Sequence, residues 1–211
     1  MMRVRPSPCR RTIAVALCAA ALAAGTVSAG ERPSADARSI AERIRVVKDN
    51  GSKPFAIIDK KQARLFVYDA QGKLLGDTAV LLGKARGDAS VPGIGERKMA
   101  EIKPHERTTP AGRFMSEPGR NLQGEDIVWI DYDAAVSMHR VRANNKAERR
   151  LERLATATAA DNRISYGCVN VPAAFYDRYV KPSFGNDRAL IYVLPETREA
   201  ETIFAGKPSA S

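Results

Sequence analysis

Between residues 34 and 50 the apolar positions Ile40, Ile44 and Val47 recur at helical spacing. Ser34 stands where a helix is capped and Asn50-Gly51 where one stops, which predicts a helix over this stretch. The pattern then changes. Phe55-Ala56-Ile57-Ile58-Asp59 reads as a short buried strand, Lys60-Lys61-Gln62-Ala63 as a turn, and Arg64-Leu65-Phe66-Val67-Tyr68-Asp69 as a returning strand. A second turn at Ala70-Gln71-Gly72-Lys73 leads into Leu74 to Leu82, so a three-stranded antiparallel meander is expected. No glycine-rich phosphate loop follows these strands, which argues against a nucleotide fold.

From Gly83 to Pro110 the pattern breaks at Gly87, Pro92, Gly93 and Gly95, with a helical turn expected between Gly95 and Ile102. A loop of this length inside a compact domain is often functional. It enters a strand through Thr108-Thr109-Pro110-Ala111-Gly112-Arg113-Phe114. Two more strands are expected, Ile127 to Tyr132 and Ala134 to His139, with Trp129 and Tyr132 in the core or on a groove wall. Asn145 to Ala160 reads as a helix with Leu151 and Leu154 inward and Arg149, Arg150 and Arg153 outward. A further short helix starts at Val171-Pro172, and the tail from Thr197 to Ser211 reads as polar and loosely ordered.

The front of the chain is of another kind. Arg3, Arg5, Arg10 and Arg11 precede an uncharged run from Thr12 to Val27, and Val27-Ser28-Ala29 ends it with small residues. This is the pattern of a secretory signal peptide, cleaved after Ala29. The run is short for a spanning helix, so no stable membrane anchor is expected. Cleavage removes Cys9 and Cys18 and leaves Cys168 as the mature chain's one cysteine. It also leaves 30 basic residues against 24 acids, a net of about +6 that suits an anionic envelope surface. Basic-aromatic interleaving and zinc-finger spacing are both missing, so nucleic acid is not an expected partner.

In an oxidising compartment cysteines usually pair. A single thiol there is deeply buried, bonded to another chain or chemically used. Cys168 lies in Arg163-Ile164-Ser165-Tyr166-Gly167-Cys168-Val169-Asn170-Val171, behind a glycine at a turn where backbone N–H groups favour a thiolate and receive an oxyanion. Only two histidines are available as a base. His105 sits in a polar loop and reads as solvated, whereas His139 ends a predicted strand. Cys–His chemistry requires a base at such a position. One cysteine and two distant histidines make no convincing metal-ligand set, and no cofactor is called for.

Three segments together resemble the L,D-transpeptidase (YkuD-type) catalytic domain. The strand-turn-strand opening is matched by Ile57-Ile58-Asp59, Leu65 to Asp69 and Leu82-Gly83-Lys84, and the Thr-Pro-x-Gly-x-Phe element by Thr109 to Phe114. The signature of a histidine followed by Ser/Thr-His-Gly-Cys-hydrophobic-Asn is matched by His139, Ser165, Gly167, Cys168, Val169 and Asn170. Three features depart from the family pattern. Tyr166 replaces the second signature histidine, Arg140 follows His139 where glycine or serine is common, and the His139–Cys168 gap is longer than usual.

The resemblance implies a mostly β fold, an antiparallel sandwich or barrel-like sheet with a few short helices and a helical insert, over residues 53–196. Residues 30–52 would form a helical appendage. It implies that Cys168 is the nucleophile and His139 the general base and acid, with Ser165, Tyr166, Gly167 and Asn170 supporting the oxyanion hole and turn. Arg140, which departs from the family pattern beside the base, is expected to bind substrate. The implied partners are peptidoglycan stem peptides as donor and acceptor, cross-linked 3→3 in the periplasm or cell envelope of a bacterium. Water as acceptor would make an L,D-carboxypeptidase, an envelope protein as acceptor would make a wall-anchoring enzyme, and a third alternative is a non-catalytic peptidoglycan-binding module. The insert then reads either as a decorated surface helix or as a flap whose arginines meet acidic stem peptides.

Overall fold

The computed structural model describes residues 32–205. The expected signal peptide, Cys9 and Cys18 lie outside the described residues, as does the end of the tail.

Ten strands form the body: β1 (Phe55–Asp59), β2 (Arg64–Tyr68), β3 (Leu74–Ala79), β4 (Leu82–Gly83), β5 (Gly112–Arg120), β6 (Asp126–Asp131), β7 (Val136–Arg140), β8 (Arg163–Ser165), β9 (Val169–Val171) and β10 (Ala189–Leu194). Eight pair in the order β3-β2-β1-β10-β5-β6-β7-β9, and β4 pairs with β8. The meander β1-β2-β3 is antiparallel as expected. The sheet as a whole is mixed, because β1 pairs with β10, β7 with β9 and β4 with β8 in parallel. Leu81, just beyond β3, exchanges backbone hydrogen bonds of 3.0 and 2.9 Å with Asn170 of β9. That bridge joins the two ends of the sheet into a nearly closed barrel and removes an open edge.

Strand alternation explains why β1 and β10 are buried along their whole length. Ala56, Ile58, Leu65, Val67, Ile191 and Val193 face the barrel interior with Val128, Met138 and Val169. Phe55, Ile57, Phe66, Tyr68, Leu190 and Tyr192 face outward into a second core. Helix α1 (Ala35–Val47) closes that second core with Ala37, Ile40 and Ile44, all wholly buried. Ser34 caps it, its Oγ accepting from the Ala37 N–H at 3.0 Å. Val47, expected inward, is exposed because the helix ends there and Lys48 turns left-handed. Burying two isoleucines contributes about 4 kcal/mol, which ties this helix to the sheet.

The tail also departs from expectation. A 3₁₀ turn over Ala200–Phe204 buries Ala200 and Ile203 in the same outer core. The insert after β7 is a 3₁₀ turn (Lys146–Glu148), helix α2 (Arg150–Ala155) and a second 3₁₀ turn (Ala159–Asn162) rather than one helix. After Pro172 come α3 (Ala173–Phe175), a π-helical turn (Tyr176–Val180) and α4 (Lys181–Phe184), which plug one side of the barrel with Tyr176, Val180 and Phe184. Among the described residues no helix is long and apolar enough to cross a membrane.

Candidate active site

Parallel pairing of β7 with β9 sets His139 opposite Asn170, so the turn before β9 carries Cys168 alongside Ser137. The Cys168 Sγ lies 3.5 Å from the Ser137 backbone nitrogen and 3.7 Å from its hydroxyl oxygen. It is also 3.7 Å from the Ala135 carbonyl, so the thiol can donate there and the thiolate can accept from Ser137. His139 and Ser137 share one face of β7 by two-residue alternation, while Val136 and Met138 point into the core. That face lines a cleft of about 540 Å³, walled by Trp129, Ile127 and Tyr166 and rimmed by the exposed Met99 and Leu122.

Cys168 and His139 act on one another. The His139 Nδ1 is 2.8 Å from the Arg140 carbonyl oxygen, to which its proton is donated, leaving Nε2 as the acceptor. Burial pushes the imidazole down, but its hydrogen bond and charge interaction with Cys168 and its bond to the Arg140 carbonyl outweigh this, so its pKa rises. Burial pushes the Cys168 thiol up, yet the hydrogen bond and charge of His139, with the Ser137 donors, leave it below the ordinary thiol value. The two shifts run toward one another, so the thiol proton passes to the imidazole more readily than between free side chains.

The turn itself is built around Gly167, whose φ is +135°. A Cβ there would stand 2.8 Å from the Thr108 carbonyl oxygen, so both conformation and space demand glycine. Thr109, wholly buried, donates its hydroxyl to the Gly167 carbonyl at 2.7 Å and accepts from the Gly83 N–H at 2.9 Å. The Thr-Pro element is therefore the buttress of the thiol-bearing turn. Ser165 Oγ donates to the Cys168 carbonyl at 2.6 Å and accepts from the Gly167 N–H at 3.1 Å. The Gly167 N–H, expected in an oxyanion hole, is thus already used. Among the described residues the Tyr166 and Cys168 backbone N–H groups have no acceptor. Gly167→Ala is expected to lower activity at least about a hundredfold, with the thermal midpoint falling as strain spreads to Thr108; activity assay beside calorimetry checks both.

The remaining expected residues are placed differently. Asn170 is buried, with Nδ2 3.3 Å from the Cys168 carbonyl and 3.4 Å from the His139 Nε2. The ring of Tyr166 lies under the Arg107 guanidinium, 3.7 Å from its centroid, and no hydrogen bond joins its hydroxyl to the thiol. Arg140, expected to bind substrate, does not line the cleft. Alternation sends its side chain to the other face, where it bonds Asp177 and Asp126 and covers the Tyr176 ring. Those carboxylates hold its pKa above the ordinary value against burial.

The arginines that do line the cleft are Arg120, Arg142 and Arg150. Arg150, expected outward, turns in to bond the Asn170 Oδ1 and Glu148, while Leu151, expected inward, is exposed. Ser137 was open to discovery from the sequence, two residues before His139 on the same strand face. Arg150 gave no such signal, since a short helix after a 3₁₀ turn does not keep one phase.

No protein-family model and no curated protein matches the chain. Solved structures do. One is the helical cell shape determining protein Pgp2 from Campylobacter jejuni, at 13% identity over 70% of this chain and 49% of that one, TM-score 0.44. A second is the catalytic domain of the Enterococcus faecium L,D-transpeptidase, at 18% identity over 68% and 98% of the two chains, TM-score 0.34. A third is an L,D-transpeptidase from Mycobacterium smegmatis, at 14% identity over 67% and 58%, TM-score 0.35. The similar structures are thus mainly L,D-transpeptidases. The chain spans about half the length of Pgp2.

Proposed function

We propose that this protein is an exported cysteine-dependent acyltransferase that acts on peptidoglycan stem peptides and forms 3→3 cross-links. The observation that carries the reading is the contact geometry of Cys168, held at a turn against the Ser137 N–H and within reach of a base whose proton sits on the far nitrogen. The Cys168 thiol passes its proton to His139 Nε2, and the resulting thiolate attacks the carbonyl carbon of the third stem residue. Negative charge gathers on the carbonyl oxygen, to which the Tyr166 and Cys168 N–H groups can donate. The C–N bond to the terminal D-alanine then breaks, and the imidazolium gives its proton to the leaving amine. An amine of a neighbouring stem attacks the thioester, returns a proton to His139 and releases the thiolate.

Mass spectrometry of products from a purified disaccharide-tetrapeptide tests this. Cross-linked dimers support transpeptidation, tripeptide with free D-alanine assigns water as the acceptor, and untouched substrate with an unreactive thiol leaves a binding module. The thiol can be probed without substrate. Alkylation of Cys168 by iodoacetamide is expected to reach half its maximal rate below the free-thiol midpoint of ~8.5. In His139→Ala the burial that raises the thiol loses its main opposition, so that midpoint moves up, and turnover falls about 10³-fold. An unmoved alkylation profile in His139→Ala would remove the base from the mechanism.

A further inference from the structure

The cleft holds an arrangement that the acyl-transfer scheme does not use. Arg150, from the insert, donates to the Oδ1 of Asn170. The same carboxamide has its nitrogen 3.3 Å from the Cys168 carbonyl and 3.4 Å from His139 Nε2. A guanidinium has only donors and a carbonyl oxygen only accepts, so both neighbours demand one orientation of the amide. Arg150 is itself fixed, since it is largely buried and Glu148 takes its Nε. The other charged groups facing the imidazole are Cys168 from the turn and Arg142 beyond its own strand, with Glu125 of the β5–β6 hairpin behind Arg142.

We propose that Arg150 is a positioning residue for the catalytic pair, locking the Asn170 carboxamide with its N–H toward His139. An N–H aimed at Nε2 is compatible with a neutral imidazole whose proton is on Nδ1, the form the Arg140 carbonyl also selects. When the thiol proton moves to Nε2, two N–H groups face each other. The imidazolium is then less stable than it would be beside a freely turning amide, and it hands its proton on to the leaving amine. Without Arg150 only the long 3.3 Å bond to the Cys168 carbonyl opposes rotation, so the amide can turn, offer Oδ1 to the protonated nitrogen and retain the proton on His139. The insert thereby belongs to the catalytic machinery, although it contributes no group that touches the reacting atoms.

The kinetic half of this inference rests on the acyl-transfer reading; the orientation of the amide does not. The test follows the His139 ring by NMR through a pH titration in wild type, Arg150→Met, Asn170→Ala and the double variant, with D-alanine release assayed beside it. Arg150→Met is expected to move the His139 midpoint upward and to lower kcat about tenfold. In the Asn170→Ala background the same substitution moves it much less, because the amide through which Arg150 acts is gone. Arg150→Lys keeps the charge and one donor, so it stays near wild type and guards against a variant that fails to fold. An equal upward shift in both backgrounds would assign the effect to the field of the guanidinium and overturn the proposal, as would no shift at all. A coupled shift in a protein that releases no D-alanine keeps the positioning and sinks the acyl-transfer reading. Normal release with an uncoupled titration does the reverse.

Discussion

Cys168→Ala is expected to remove D-alanine release and cross-linking altogether, a fall of about 10⁶-fold, the order produced by deleting a covalent nucleophile. With the signal peptide cleaved as proposed, the chain holds no second thiol, since its other cysteines are Cys9 and Cys18. The fold should survive. Sγ is half-buried and its contacts with Ser137 and Ala135 are long, at 3.5–3.7 Å, so its removal costs about 1 kcal/mol. For a domain of this size that lowers the thermal midpoint by about 2–4 °C. Cys168→Ser refines the test, since its hydroxyl occupies the same turn but lacks thiolate character at neutral pH. Release of D-alanine by the alanine variant at more than about a thousandth of the wild-type rate would end the covalent mechanism.

The fold and the cleft differ in how far local pattern reaches. Ser34, Ile40 and Ile44 define α1 through caps and spacing alone, and the meander follows from alternation and turns, both of which are local. The central strand β10 has no such signature. Ala189–Leu194 is a continuous apolar run with neither alternation nor helical period, and its place between β1 and β5 depends on a connection across the whole chain. Parallel closure of β7 on β9 is equally non-local, yet it is what brings His139 to Asn170 and Cys168 to Ser137. The sequence motifs named the residues; only the pairing register supplies their distances. Arg140 and Arg150 exchanged expected roles for one reason: each orientation depends on local phase, across β7 for one and at the start of α2 for the other. Lys60 reads as a turn residue in the sequence, because Asp88 and Glu196 lie far along the chain.

Lys60→Met is expected to be the most destabilising single substitution behind the cleft. The ammonium is wholly buried and donates to Asp88 Oδ1 at 2.8 Å and the Thr109 carbonyl at 3.0 Å, as well as to the Gly87 carbonyl, with Glu196 at 3.8 Å. Around it Arg163 bonds Glu196 at 2.7 Å and the Lys60 carbonyl at 2.7 Å, and Asp88 accepts from the Glu196 and Thr197 N–H groups. Methionine fills the space but leaves two carbonyls without donors and two carboxylates beside Arg163 with one cation fewer. Breaking one side of a buried ionic group costs about 3–5 kcal/mol, so the thermal midpoint should fall by about 10 °C. The loss has a pH signature. Burial raises the Asp88 carboxyl, but Lys60, Thr197 and two backbone N–H groups together hold it well below its usual range. A depressed carboxylate stabilises the fold above its unfolded pKa of ~3.9 and gives that stability up as pH falls toward the folded value. The gap between wild type and Lys60→Met should therefore narrow as denaturation is followed from neutral pH down through about 4. The cleft feels the same change, since Thr109 joins Lys60 through its carbonyl to Gly167 through its hydroxyl. Residual activity measured well below the lowered midpoint should still be reduced, which a purely global loss of stability would not produce.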